Sequence, residues 1–274
     1  MFEEILKNVR AQCPLVHAIT NYITTNDCAN IILACGASPT MAEEVEEVED
    51  ITTIANALVI NIGNLNQRTV QAMLRAAGKA NELNKPVVLD PVGAGASRYR
   101  TDTVNQMLKE RKFTVIRGNS SEIKTVAQGS GSTRGVDAAE GDATTEENLA
   151  ERVAFAKALS KKTGAIIAIS GAIDLVADEN KAYVIRNGHP MMSKVTGTGC
   201  MLTALIGAFC GANPGQPLEA AAAAVCVMGL SGELAYQKTV AQDGGTSSYR
   251  MHLIDYVSKM DSDLLNGGIK LEIR

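Results

Sequence analysis

Residues 57–90, ALVINIGNLNQRTVQAMLRAAGKANELNKPVVLD, pass from one apolar segment to another through a stretch of different period. The segment 57–62 (ALVINI) is apolar without strict alternation, the pattern of a strand buried on both faces. Val70, Met73, Leu74, Ala77 and Ala80 then recur at helical spacing and predict a helix over 67–83. The run 86–89 (PVVL) is a second short strand, closed by Asp90-Pro91. Strand, helix and strand in this order describe one parallel crossover unit.

The pattern continues downstream. Helices are predicted over 102–109, 120–127 and 145–162, and strands over 113–116 (FTVI) and 165–169 (AIIAI). After Ser170-Gly171 the segments 175–177 and 182–185 flank Asp178-Glu179-Asn180 and read as a β-hairpin near the sheet edge. Three helices, over 200–210, 218–236 and 247–260, then close the chain. The Gly-, Ser- and Asp-rich stretch 129–144 reads as a mobile surface loop. No linker divides the sequence. A single α/β domain over 1–274 is expected, with a central, mostly parallel sheet and helices on both faces.

Composition narrows the function. Hydrophobic residues make up 46% and charged residues 20%, enough to build a core and incompatible with disorder. Net charge is −4 and the pI is near 5.5, with no Lys/Arg cluster, which argues against a nucleic-acid partner. Cys13, Cys28, Cys35, Cys200, Cys210 and Cys226 form no C-x-x-C pair and sit mostly in apolar runs. They read as reduced thiols of a cytoplasmic protein. The N-terminal MFEEILKNVRAQ lacks the apolar centre of a signal peptide. The uncharged stretch 195–218 is broken by Gly-rich and Pro-rich ends, so it holds one core helix and no membrane span is expected.

In open α/β sheets ligands bind beyond the carboxyl ends of the strands. Four strand tails there carry glycines beside polar groups: Asn61-Ile62-Gly63-Asn64, Asp90 to Gly95, Arg117 to Glu122, and Ser170-Gly171. The sharpest feature is Val195-Thr196-Gly197-Thr198-Gly199-Cys200, immediately before an apolar helix. Glycines admit an anion close to the backbone, and a helix start adds its positive dipole end. The same residues also suit a plain turn before a core helix. Cys200 sits where a thiol pKa is expected to fall, as a base or a polar contact to a substrate hydroxyl, or else as a structural cysteine. Asp90 and Glu122 could hold Mg²⁺ beside phosphates, or else cap a turn and a helix. Arg117 could meet a phosphate. His17, between Val16 and Ala18, reads as a hydrogen-bonded core histidine. The acidic stretch 43–50, with Val45 and Val48 at helical spacing, reads as a solvated helix face.

Together these residues resemble the hydroxyethylthiazole kinases, thiamin-salvage enzymes of the ribokinase-like superfamily. The likeness runs through Val16-His17-Ala18-Ile19-Thr20-Asn21, Gly36-Ala37-Ser38-Pro39-Thr40-Met41-Ala42, Asn61-Ile62-Gly63 and Leu89-Asp90-Pro91-Val92-Gly93-Ala94-Gly95. It continues in Ile116-Arg117-Gly118-Asn119, Ser121-Glu122-Ile123, Gly135-Val136-Asp137 and the run from Val195 to Leu202. The resemblance implies transfer of the ATP γ-phosphate to the primary hydroxyl of 4-methyl-5-(2-hydroxyethyl)thiazole. It implies that Arg117 and Ser170 contact ATP, and that Met41, Gly197 and Asn21 line the thiazole site. It further implies an anion hole over Gly197, Thr198, Gly199 and Cys200, Mg²⁺ near Asp90 and Glu122, and a homotrimer with the substrate between subunits. The wider superfamily usually has Asp where Cys200 stands, whereas Cys is usual in this family.

Competing readings are a kinase for another vitamin-precursor alcohol, such as a hydroxymethylpyrimidine or pyridoxal, a nucleotide-dependent dehydratase of the same fold, and a nucleotide sensor without turnover. The Cys200 turn and the Met41 segment argue against the first. A dinucleotide-binding fingerprint at Gly93-Ala94-Gly95 fails, because Arg98 stands where the third glycine is required.

Overall fold

Side-chain parity along the strands explains the architecture of the computed structural model, which describes residues 2–131 and 143–274. In chain order, α1 (Glu3–Gln12) leads to β1 (Leu15–Ile19), α2 (Thr25–Ala34) to β2 (Ser38–Thr40), and α3 (Val48–Ile54) to β3 (Ala57–Asn61). Then follow α4 (Gln67–Glu82), β4 (Val87–Asp90), α5 (Arg98–Glu110), β5 (Val115–Asn119), α6 (Ser120–Gln128), α7 (Leu149–Thr163) and β6 (Ile166–Ser170). The hairpin β7 (Asp174–Ala177) and β8 (Ala182–Ile185) precedes α8 (Thr198–Ala212), α9 (Pro217–Ala241), α10 (Thr246–Lys259), α11 (Ser262–Gly268) and β9 (Leu271–Ile273).

The strands form one nine-stranded sheet in the order β2-β1-β3-β4-β5-β6-β7-β8-β9. Pairing is parallel from β2 to β6 and antiparallel from β6 to β9. Alternate residues feed two cores. Val59, Val88, Val115 and Ala168 pack with Met201, Leu205 and Met228 of α8 and α9. Their neighbours Leu58, Ile60, Leu89, Ile116 and Ile167 pack with Met73, Met107 and Val153 from α4, α5 and α7. A strand flanked by helices on both sides must be apolar at every position, which is why the period-two signal is missing from 57–62.

The parallel sheet and the hairpin agree with the sequence reading, and three details do not. The chain does not close on three helices, because α11 and β9 follow α10. Leu271–Ile273 pairs with β8 and so covers its free backbone edge, a long-range partnership that a three-residue run cannot announce. The strand expected at 113–116 lies at Val115–Asn119, drawn onward by continuous pairing with β6 as far as Asn119↔Ser170. The acidic stretch 43–50 is helical only from Val48, and its acids pair with basic residues of α4, Glu44 with Arg68 and Glu49 with Arg75. Of the expected surface loop 129–144, residues 132–142 lie outside the described residues, and with them Gly135-Val136-Asp137. Among the described helices α9 alone is long and apolar enough to cross a membrane, and 83% of its apolar window is buried inside the fold.

Candidate functional site

The parity that builds the core also builds the site. Two residues beyond Val59, Val88, Val115 and Ala168 stand Asn61, Asp90, Arg117 and Ser170. All four therefore face α8, at the carboxyl ends of adjacent strands, with Asn61 directly beside Asp90 in register. Asn21 joins them from just beyond β1. These residues, which the sequence scatters over about 150 positions, become one continuous polar cluster.

Asp90 is fully buried. Its Oδ2 accepts from Thr203 Oγ1 at 2.7 Å and from Asn61 Nδ2 at 3.0 Å, with Arg117 Nη1 at 3.6 Å. Its Oδ1 is buried with no partner, and so is Arg117 Nε. Arg117 Nη2 donates to Ser170 Oγ at 2.5 Å, so the guanidinium spans the ends of β4 and β6. Burial pushes the Asp90 carboxyl above the usual range, and the Arg117 charge opposes it. Glu122 is held in a capping box. Its Oε2 accepts from Asn119 N and its Oε1 from Gly93 N, each at 2.8 Å, while Asn119 Oδ1 accepts from Glu122 N at 2.9 Å. Burial, reinforced by the negative charge of Asp90, pushes Glu122 up to about 7.

Above this cluster lies the start of α8. Gly197, at φ +89°, is its N-cap, and a Cβ there would meet Thr24 Cγ2 at 2.7 Å. A Cβ on Gly199 would meet Arg117 Nη1 at 2.6 Å. Only glycine allows both the left-handed turn and the seating of the guanidinium against the helix. The first N–H groups of a helix have no intrahelical acceptor, and here they join Asn21, Arg117 and the two carboxyl groups around a cleft of about 530 Å³. A second cavity of about 490 Å³ shares Arg117, Thr198 and Gly199 with it and runs outward past Ser170 to His189 and Met228.

Cys200 Sγ accepts from Asn61 Nδ2 at 3.2 Å and Asn21 Nδ2 at 3.3 Å. Its pKa is raised, contrary to the lowering expected from its place at a helix start. Burial removes water from the thiolate and Asp90 adds a like charge nearby, and together these outweigh the helix dipole and the hydrogen bonds of Thr24, Asn21 and Asn61. His17 is a buried core histidine, as expected, with Nδ1 2.9 Å from Thr52 Oγ1 and Nε2 2.8 Å from the Ala42 carbonyl.

Arg117, Ser170, Asn21, Asp90, Glu122 and Gly197 to Cys200 thus converge. Met41 does not join them within one chain, and lines a separate cleft of about 560 Å³ with Thr20, Tyr22 and Asn64. Sequence reading missed Thr203, although a hydroxyl one turn inside an otherwise apolar helix is a signal. It also missed Asn61 as the hub linking Asp90, Cys200 and Asn21. No group of three or more His, Cys, Asp or Glu side chains that could hold a metal ion occurs among the described residues. The two carboxyl groups, one with an unpartnered oxygen, suit a cation that takes most of its ligands from phosphate and water.

Comparison with known proteins places this geometry. Residues 6–263 match the model of the hydroxyethylthiazole kinase family. The hydroxyethylthiazole kinase of Clostridium acetobutylicum is 56% identical over 272 residues, covering 99% of each chain. The solved hydroxyethylthiazole kinase of Pyrococcus horikoshii OT3 superposes with a TM-score of 0.88 at 35% identity, over 100% of this chain and 98% of that one. A ribokinase-like superfamily protein from Enterococcus faecalis shares the fold alone, at a TM-score of 0.61 and 13% identity, over 94% of this chain and 95% of that one. With the family model spanning nearly the whole sequence and a relative this similar over its full length, the chain belongs to the hydroxyethylthiazole kinase family.

Proposed function

We propose that the protein phosphorylates the primary hydroxyl of 4-methyl-5-(2-hydroxyethyl)thiazole with ATP, in thiamin biosynthesis or salvage. The observation that carries this reading is the start of α8, whose free N–H groups meet the Arg117 guanidinium and the Cys200 thiol in one cleft. The triphosphate extends from the outer cavity past Ser170 to Arg117, with its γ-phosphoryl group at the Gly197–Cys200 turn. The alcohol, placed by Asn21 beside Gly197, approaches from the other side.

In the reaction the alcohol oxygen forms a bond to the γ-phosphorus as the bond to the β,γ-bridging oxygen breaks, and ADP leaves with that electron pair. Charge on the transferring group is held by Arg117 and by N–H donors already aimed at it, so little reorganisation is needed. The alcohol O–H is held against Cys200 Sγ, and its proton passes to an oxygen of the transferring phosphoryl group as the new bond forms. A thiol with a raised pKa is seldom ionised at neutral pH, so Cys200 acts first as a hydrogen-bonding contact that orients the hydroxyl. A loose phosphoryl-transfer transition state draws mainly on positioning and charge stabilisation, which such a contact supplies. Asp90 and Glu122 would hold Mg²⁺, which when bound neutralises phosphate charge. Their raised pKa values mark them as carboxyl groups that a cation would return to the ionised form.

Met41 and Gly197 line different clefts, and Tyr22 and Ile23 beside them are 78% and 62% exposed. Both facts support a homotrimer in which the thiazole pocket is completed between subunits. Reduced cysteines and use of ATP suit the cytoplasm. A coupled ADP-release assay with Mg-ATP tests the reading, with the thiazole, a hydroxymethylpyrimidine and pyridoxal run in parallel. Turnover confined to the thiazole is expected. Release with another alcohol would move the substrate, and silence with all three despite ATP binding would favour a sensor. Light scattering at working concentration reads the trimer.

A further inference from the structure

The outer cavity contains a half-buried carboxyl group that the phosphoryl-transfer chemistry leaves unused. Asp174 opens β7, four residues beyond Ser170, and lines the cavity with Arg117 and Ser170. Its Oδ1 accepts from Gly171 N at 2.8 Å, closing the turn between β6 and β7. Its other oxygen has no hydrogen-bond partner among the described residues. Burial pushes this carboxyl up to about 7, against the pull of the Gly171 N–H and the Arg117 charge. That second oxygen is not enclosed by protein, so a donor on a bound ligand can reach it from the cavity.

The surrounding polar groups are committed elsewhere. Asn187 Nδ2 donates to Glu233 Oε1 and the Gly268 carbonyl, and its Oδ1 accepts from Lys270 N. His189 Nδ1 accepts from Met191 N, and its ring stacks on Tyr236 at 3.5 Å. The hydroxyls of Ser193 and Thr198 donate to the carbonyls of Pro190 and Met192. Asp174 therefore presents an open acceptor, and it is the one carboxyl group among the described residues that line this cavity.

Position then selects the donor. Arg117, between Asp90 and Ser170, marks the phosphate end, and Asp174 lies past Ser170 on the side away from Asp90. Met192, Val225 and Met228 give the cavity an apolar wall suited to a base. A carboxyl group would repel phosphate, and a sugar with two adjacent hydroxyls is the part of a nucleotide that joins phosphate to base. We infer that Asp174 accepts a hydrogen bond from a ribose hydroxyl of the bound triphosphate, and that this contact makes the enzyme prefer ribonucleotides to deoxyribonucleotides. The inference rests on the kinase reading, with ATP as phosphoryl donor.

The test is steady-state kinetics with ATP, 2′-deoxy-ATP and 3′-deoxy-ATP on the wild type, Asp174→Asn and Asp174→Ala. In the wild type, kcat/KM is expected to be roughly tenfold or more lower for at least one deoxynucleotide, as for loss of a hydrogen bond to a charged acceptor. In Asp174→Ala the gap should close to within about twofold, because ATP loses the contact and the deoxy analogue has none to lose. Asp174→Asn keeps an acceptor for the Gly171 N–H, so it preserves the turn if Ala does not fold, and an intermediate gap is expected. Equal use of all three nucleotides by the wild type would overturn the inference, as would variants that weaken all three alike. So would a changed preference between ATP and inosine triphosphate with the sugar preference intact, which would assign Asp174 to the base. If the wild type turns over no triphosphate, the kinase reading fails instead, and calorimetric binding of the same three nucleotides still reads the sugar contact.

Discussion

The two ends of the parallel strands use similar polar side chains in opposite ways. At the amino ends these side chains close on backbone. Lys85 Nζ donates to the carbonyls of Thr52, Thr53 and Ala55 at the end of α3, Asn56 Oδ1 accepts from Leu15 N at 2.8 Å, and Thr114 Oγ1 accepts from Val87 N at 3.1 Å. At the carboxyl ends the side chains bond largely to one another, and Asp90 Oδ1 and Arg117 Nε are left buried and unpartnered. One end spends its polar groups on stability. The other keeps two buried polar atoms without a partner, the pattern expected of a site that a ligand completes.

The largest expected break in this contrast is Asp90→Asn. Loss of the buried charge facing Arg117 should lower kcat about 100- to 1,000-fold, the scale of removing one preorganised electrostatic group. Far-UV circular dichroism should still report the native fold. Full specific activity in the folded fraction would place Asp90 with the structural end. Cys200→Ala comes next, with kcat expected to fall roughly 100-fold, the scale of misplacing a reacting group by about an ångström. ATP affinity should hold within about threefold, given that Asn21, Asn61 and Thr24 rather than the nucleotide lose a partner. Equal losses in kcat and affinity would assign the thiol to nucleotide binding.

Glu122 sharpens the comparison through pH. Its folded-state value of about 7 lies above the ordinary 4.5, so between those values the native state keeps a proton that the unfolded chain has released. Stability of the free protein should therefore fall as pH rises from about 5 to 8, by on the order of 2–3 kcal/mol from this group. Urea denaturation at several pH values should find a shallower slope in Glu122→Gln. Some slope of the same sign should remain from Asp174, also pushed up to about 7. An unchanged slope would exclude Glu122 as its source. The smallest effect belongs to the opposite end: Lys85→Met should cost about 1 kcal/mol of stability through its lost carbonyl contacts and leave kcat/KM unaltered. A marked loss of turnover there would show that the two ends are coupled.

Much of the fold is legible in the sequence. Buried parallel strands cannot alternate, so 57–62, 86–89 and 165–169 stood out as short apolar runs between helical periods. Glycines at 197 and 199 before an apolar helix mark a candidate anion-binding turn in the sequence, although the same pair also suits a plain turn before a core helix. The same local logic failed for Cys200. A helix start lowers a thiol pKa, but the sequence does not show that Asp90, 110 residues earlier, lies close by in a dry cluster. It failed likewise for β9, whose only reason to be a strand is the edge that β8 offers.

By itself the sequence determined the periods, the glycine positions and the chemistry available at each strand end, since these follow from steric and hydrophobic rules acting over a few residues. Only the tertiary structure decided which end-of-strand groups meet, that Asp90 and Glu122 are pushed upward together, and that Asp174 keeps an open oxygen in the outer cavity. Desolvation and charge coupling depend on distances through space, and the register of the sheet sets those distances.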